Sequence, residues 1–300
     1  MTSIFAKKKI AIATHNGTFH TDDVFAVATL YLVLGRKNVS VARTRDEAVI
    51  EAAQYVVDVG ARNAPEENRF DHHQSGGAGT HADGIPYAAF GLVWKKFGIQ
   101  LAGSAEAAKL IEEWLVEPID AFDNGVSLSE SKQAIRPYLI QDVVRLFVPT
   151  WKEDTDVSDS AFIRMADLAT DILARTIVVA SDTIEATTAV RAAYELSRDR
   201  RIIVLSRPYP FDDALAEYPE PRFVLIPREE NNYWKVQAVR ARPHSFENRK
   251  NFPAAWGGLR DTELAQVSGV PDAVFCHRGL FMAVAKTKEG AMALAEKALI

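Results

Sequence analysis

Five histidines and several aspartates crowd the first part of this 300-residue chain: His15, His20, His72, His73 and His81, with Asp22, Asp58 and Asp71 among them. Imidazole nitrogens and carboxylate oxygens in one neighbourhood form the donor set of manganese, iron or zinc, whereas calcium takes an all-oxygen shell. The pattern points to metal-assisted hydrolysis, with His15, His20, Asp22, Asp58, Asp71 and His72 as candidate ligands. A carboxylate such as Asp58 could bridge two ions, and two ions roughly 3.5–4 Å apart can activate a water and clamp a phosphoryl oxygen. Of the adjacent pair His72-His73, one could bind metal while the other meets the substrate or acts as an acid. A further segment adds Asp120, flanked by apolar residues and read as a buried functional carboxylate, and Asp123 on the same helix face. Each residue alone has a plainer reading: Asp22 as a helix cap, Asp58 as a strand end, Asp123 as an exposed helix end before Gly125. Three clusters at three expected strand ends favour a shared metal site over those separate readings.

The elements that must position these residues alternate between strand and helix. Residues 9–14 read as a buried strand, 24–34 as a helix behind the polar start Thr21-Asp22-Asp23, 39–42 as a second strand, 46–54 as a second helix and 55–60 as a third strand. Such alternation predicts parallel βαβ units, whose ligands collect at the carboxyl ends of the strands. His15, Asp58 and Asp71-His72-His73 fall at such ends. Residues 61–86 read as loop and 87–190 as mainly helical, with breaks near 98–103, 125–131 and 149–158. Strand patterns return at 201–205, 223–226, 234–239, 272–277 and 281–285, before a closing helix at 288–299. The expected fold is α/β: an N-terminal parallel-sheet domain with a helical segment over residues 1–195, and a smaller C-terminal α/β domain over 196–300. Apolar residues at helical spacing after 159, such as Ile163, Ala166 and Leu173, are read as core.

Composition narrows the function classes. Lys and Arg number 35 against 40 Asp and Glu, a net charge of -5, so the chain lacks the global basic footprint of a protein that coats nucleic acid. A single cysteine, Cys276, excludes an internal disulfide and a thiolate zinc cluster. It reads as a small core residue on a strand, not a nucleophile. No apolar run is long enough for a membrane span. Residues 1–9 carry lysines but no apolar core of a secretory leader, so a cytoplasmic location is expected.

Four ordered segments resemble the motifs of the DHH phosphoesterase superfamily. They are Thr14-His15-Asn16-Gly17-Thr18-Phe19-His20-Thr21-Asp22-Asp23, Val56-Val57-Asp58-Val59-Gly60, Asp71-His72-His73-Gln74 and Ile119-Asp120-Ala121-Phe122-Asp123-Asn124-Gly125. The opening segment is similar to the signature of one branch, the melanocyte-proliferating-gene family. The likeness extends to Trp256-Gly257-Gly258-Leu259-Arg260-Asp261, Gln266-Val267-Ser268-Gly269 and Phe275-Cys276-His277, so it covers almost the whole chain. The resemblance implies a two-domain α/β fold, two divalent ions (manganese or magnesium) and 3′–5′ exonuclease action on RNA or short oligonucleotides. It implies His15, His20, Asp22, Asp58 and Asp120 as metal ligands, Asp71 and His72 completing or supporting the shell, and His73 on the scissile phosphate. General DHH enzymes open with His-x-x-x-Asp-x-Asp; here His20 stands near where an acid is usual. The Gly-Gly-Gly-His substrate motif of many C-terminal DHH domains is absent. Members of the superfamily often dimerise, so a homodimer is expected.

On the substrate side, Lys235, Arg240, Arg242, Arg249, Lys250 and Arg260 interleave with His244, Phe246, Phe252 and Trp256. Basic and aromatic groups together suit phosphate contacts with base stacking; the residues alone favour a solvated loop with a few packed aromatics. With the resemblance, Arg260, His277 and Arg278 are the expected phosphate contacts. Two other functions fit the same residues: a phosphatase acting on pyrophosphate or a dinucleotide, and a metal-stabilised binding protein without turnover.

Overall fold

The computed structural model describes residues 8–128, 134–154, 158–243 and 245–300. The lysine-bearing start up to Lys7 and His244 lie outside the described residues. The chain divides into two compact units, one ending at Ser181 and one from Asp182 to Ile300.

The first unit is built on β1 (Ile10–Thr14), β2 (Val39–Arg43), β3 (Tyr55–Val57), β4 (Asn63–Ala64) and β5 (Arg69–Phe70), in the order β2-β1-β3-β5-β4. The first four in that order run parallel and β4 is antiparallel to β5. The register pairs Ala13 with Val56 and Val57 with Phe70. Continued past the strand ends, it brings His15, Asp58 and Asp71 side by side. Residues expected to be loop before Pro86 thus include two strands of two residues each, too short to show any hydrophobic period, and one of them carries the Asp-His-His triplet.

Helices α1 (Thr21–Leu34) and α2 (Glu47–Ala52) follow β1 and β2. Helix α1 is buried from Thr21 to Tyr31 on all faces, as a central helix must be when apolar residues surround it. Helix α3 (Ala89–Ala102) packs on it, with Phe25 and Phe90 ring centroids 5.3 Å apart. The break expected over residues 98–103 falls at the end of that window, where α3 stops at the left-handed Gly103. The α3 helix continues to Ala102, and a Cβ at Gly98 would lie 2.7 Å from the Trp94 ring, so the glycine makes room for an aromatic ring rather than ending the helix. After α4 (Ala105–Ile111), a π-helical turn at Glu112–Val116 leads into α5 (Glu117–Asp123). Then come α6 (Ile140–Arg145) and the long α7 (Ser158–Leu196), inside which the division between units falls.

The second unit has a sheet in the order β6-β7-β8-β10-β9, from β6 (Ile202–Val204), β7 (Phe223–Arg228), β8 (Tyr233–Ala238), β9 (Ala273–Cys276) and β10 (Met282–Ala285). Strands β6 and β7 are parallel and the other pairs antiparallel. Its helices are α8 (Asp212–Ala216), α9 (Asp261–Ser268) and α10 (Lys288–Leu299). Phe223, Leu225, Val236, Phe252, Trp256 and Leu294 form its core with the buried Cys276. The fold is α/β throughout. No helix among the described residues is long and apolar enough to cross a membrane.

Candidate metal centre

Each edge of the site begins at a strand end. His15 follows β1, is 4% exposed, and its Nδ1 donates to Asn16 O at 3.0 Å. That bond fixes the ring, the usual second contact of a metal-ligating histidine, and leaves Nε2 for the site. Nε2 lies 3.1 Å from Asp23 Oδ2 and 3.2 Å from Asp58 Oδ2. Asp58 follows β3 with φ of 54°, a left-handed conformation that aspartate tolerates better than most residues. Its other oxygen is 3.3 Å from both His72 Nε2 and His73 Nδ1. His72 Nε2 also approaches Asp123 Oδ2 at 3.2 Å. His20 caps α1, and its backbone N–H donates to Asp23 Oδ1 at 2.9 Å.

These short approaches mostly fail as hydrogen bonds. Asp58 Oδ1, Asp23 Oδ2 and His72 Nε2 are buried without a hydrogen-bond partner, as are both oxygens of Asp22. Buried polar groups are normally paired, and leaving a carboxylate unpaired costs several kcal/mol or more. A divalent cation among them would satisfy these atoms together. Among the described residues four sets of donor atoms are each compact enough to share one ion, three of them here: His15, His20 and Asp58; Asp58, His72 and His73; and His20, Asp22 and Asp123; the fourth is His81, Glu112 and Glu117. Buried His and Asp groups can therefore hold a metal ion here, and Asp58 belongs to two of the sets.

The proton affinities report the same crowding. Burial works against a charged His15, but Asp23 and Asp58 outweigh it and push its pKa up to about 10. Burial opposes ionised Asp58, yet His15 and His72 hold it down at about 2. Asp22 is raised well above the carboxylate range by burial and by Asp58, Asp123 and Asp23. Burial also raises Asp23, with His15 acting against it. For His72, burial is overcome by Asp58, and its pKa rises.

The expected residues separate into two groups. His15, His20, Asp22, Asp58 and His72 converge. Asp71 lies beside them with its carboxylate already taken: Ala61 N–H donates to it at 2.5 Å, His73 N–H at 3.1 Å, and His73 Nδ1 lies at 2.8 Å. It holds the turn after β3 and orients His73, whose side chain is 61% exposed. Asp120, expected among the ligands, belongs to none of the three donor sets. It is fully buried, accepts from Gly91 N–H at 3.1 Å and pairs with His81 Nε2 at 2.7 Å. The acid that α5 brings to the centre is Asp123, one turn further on.

Sequence reasoning gave no site role to Asp23, left Asp123 open between a functional carboxylate and an exposed helix end, and assigned none to His81 or Arg43. The i, i+3 spacing of Asp120 and Asp123 was the available signal for Asp123. Arg43, at the end of β2, has a side chain 2% exposed. It packs near the rings of Phe19 and Phe162, and donates to Gly17 O at 2.5 Å and Ser158 Oγ at 2.9 Å. It ties down the loop that carries His15 and His20.

A cleft of about 960 Å³ opens over His15, Asp58, Asp71 and His73, with Gly17, Gly60, Arg45 and Glu47 on its walls. A smaller hollow of about 360 Å³ is lined by His20, Asp22, Asp123, Phe122 and Arg145. In the second unit, Arg260 is exposed at the start of α9, its guanidinium 4.5 Å from the Phe275 ring centroid. His277 and Arg278 follow β9, and His277 Nδ1 accepts from Gly279 N–H at 3.0 Å.

With this geometry in hand, similarity places the chain. The MYG1_exonuc model, described as "Uncharacterised protein family (UPF0160)", matches residues 11–299. The chain belongs to this family. It is similar to the MYG1 exonuclease of Homo sapiens, 32% identical over 324 residues that cover 96% of this chain and 85% of the human protein. It is also similar to the MYG1 protein of Dictyostelium discoideum, 30% identical over 319 residues covering 97% and 96% of the two chains. Because the family match runs across both units, it includes the His/Asp centre and the C-terminal sheet alike.

Proposed function

We propose that this chain is a metal-dependent phosphodiesterase of the DHH type that removes nucleotides from the 3′ end of RNA or short oligonucleotides. The observation that carries the reading is the buried, unpartnered oxygens of Asp22, Asp23 and Asp58 set against His15 and His72 at the ends of parallel strands. The name of the human relative, an exonuclease, supports the reaction class.

His15, His20, Asp22, Asp58, His72 and Asp123 would hold two divalent ions, manganese or magnesium, and Asp58 belongs to two of the donor sets. Such ions lower the pKa of a water and neutralise charge on phosphoryl oxygens. The protein's own groups do the positioning. Asp71 engages Nδ1 of His73 and leaves Nε2 of this exposed ring to donate to a phosphate oxygen or leaving group in the cleft. Gly17 and Gly60 let a phosphate approach the backbone of the cleft wall. Arg260, His277 and Arg278 bind substrate phosphates, arginine through its planar fork.

The test is degradation of 3′- and 5′-labelled RNA with manganese, alongside metal titration of wild type, Asp58→Ala and Asp123→Asn. The expected result is 3′-to-5′ laddering, two ions bound by wild type, one by Asp123→Asn, and neither binding nor cleavage by Asp58→Ala. Full activity of an Asp58→Ala/His72→Ala double variant overturns the proposal. Rates that do not rise with oligonucleotide length, together with cleavage of pyrophosphate, favour the small-molecule phosphatase instead.

A further inference from the structure

The C-terminal sheet ends in an alternating run of cations and rings that the metal chemistry does not use. Of the aromatic residues interleaved with basic ones before Arg260, Phe252 and Trp256 are buried in the core. Arg249 is likewise structural, donating to the carbonyls of Leu215 and Tyr218. Phe246 is different: it lies in the loop after β8 and is 93% exposed. Arg240 sits between two rings, its guanidinium 5.9 Å from the Phe246 centroid and 5.5 Å from that of Phe281. Phe281 lies 4.4 Å from His277, and His277 lies 6.2 Å from Phe275, the ring under Arg260. Backbone bonds lock the run in place: Ala238 N–H donates to Phe281 O at 2.8 Å and His277 N–H to Met282 O at 2.8 Å.

Its charge is uncompensated. Arg240 donates to Phe246 O at 3.0 Å and Asn248 Oδ1 at 2.8 Å, both neutral. Among the described residues no carboxylate lies within ion-pair distance of Arg240, Arg260 or Arg278. Apart from its contact with the Arg240 guanidinium, the Phe246 ring buries almost nothing in the folded chain. Rings for stacking and cations for a backbone are what a single strand of nucleic acid offers partners to, and a duplex, with its bases hidden, does not.

We propose that Arg240, Phe246, Phe281 and His277 form a stacking platform on the C-terminal unit that holds several nucleotides of a single strand, independently of divalent ions. The choice of occupant rests on the nuclease reading above. The platform extends the phosphate contacts of Arg260 and Arg278 by a run of bases, so affinity depends on strand length.

The test is fluorescence anisotropy with the full chain in chelator, where no cleavage occurs. The probes are a labelled dinucleotide, a single strand of about eight nucleotides within the usual footprint of such surfaces, and the matching duplex. The single strand binds more tightly than the other two. Phe246→Ala and Arg240→Gln weaken it about 5- to 150-fold, the range expected for loss of one stacked base, while dinucleotide binding stays unchanged and Phe246→Ala leaves the melting temperature unchanged. Phe246 is exposed, so its truncation leaves the fold intact. Single-strand affinity unchanged by both variants, duplex binding equal to single-strand binding, or preference for an acidic polypeptide overturns the platform. These outcomes are separable from failure of the nuclease reading, which would appear as wild type that binds the strand but cleaves no phosphodiester with any divalent ion.

Discussion

Replacing Gly91 by alanine gives a sharp trial of the link between α3, α5 and the metal centre. Helix propensity alone predicts that Gly→Ala inside a helix stabilises by about 1 kcal/mol. The structure predicts the opposite. A Cβ at Gly91 would lie 1.8 Å from Asp120 Oδ2, 2.8 Å from Asp120 Cγ and 2.8 Å from Tyr87 Cδ1. The Asp120 carboxylate cannot stay where it is. Moving it breaks the bond from Gly91 N–H and the contact with His81, whose side chain is fully buried and whose other nitrogen pairs with Glu112 at 2.8 Å. Breaking such a buried pair costs about 3–5 kcal/mol, so after the propensity gain the net loss is about 2–4 kcal/mol. That is a large share of the roughly 5–15 kcal/mol by which folded domains are stable. Asp123 lies one turn beyond Asp120, so manganese affinity falls as well. The assay is urea unfolding of Gly91→Ala, Asp120→Ala and the double variant, with manganese titration of each. In the Asp120→Ala background the Gly91 substitution should lose most of its cost, because the clashing oxygen is gone. A Gly91→Ala protein within about 0.5 kcal/mol of wild type, or an undiminished cost in the double variant, refutes the reasoning.

Two other outcomes follow from the site. Stability of the metal-free protein should decline as pH rises from neutrality. His15, raised to about 10, contributes stability that is complete below its ordinary value and lost as pH climbs through the folded one. The raised Asp22 acts in the same direction from the ordinary carboxylate range upward, while Asp58, lowered to about 2, contributes stability that is lost only in acid. Manganese competes with these protons, so its stabilising effect should grow with pH; thermal melts at several pH values with and without the ion check this, and a metal effect that shrinks toward alkaline pH counts against the assignment. His73→Gln should lower kcat by about 10²- to 10⁴-fold, the usual worth of a positioned acid or phosphate donor, while leaving metal affinity unchanged. Isothermal titration beside steady-state rates separates the two effects, and a loss of metal binding equal to the loss of rate would make His73 a ligand instead.

Much of the site could be read from the chain because register does the work. In parallel strands, site residues need only follow the strands directly, and His15, Asp58 and the Asp71-His72 pair do so. Roles within the site were harder to read, for physical reasons. Asp120 and Asp123 share a helix face, and nothing local says which one turns inward to a protein partner and which to an ion. The choice is made by His81, 39 residues away, and by the missing side chain of Gly91, neither of which leaves a periodic trace. Asp23 resembles any first-turn helix acid until its oxygens are found on His20 N–H and against His15 Nε2. The C-terminal aromatics repeat the lesson: Phe246 and Phe252 stand six positions apart in the same basic run, yet one is 93% exposed and the other 2%. Residue type marks which groups can do chemistry, whereas their allotment between scaffold and site is settled by contacts across the sheet. For this reason Asp120, apolar on both sides in sequence, became the strut, and Asp123 one turn on joins the donor set of His20 and Asp22.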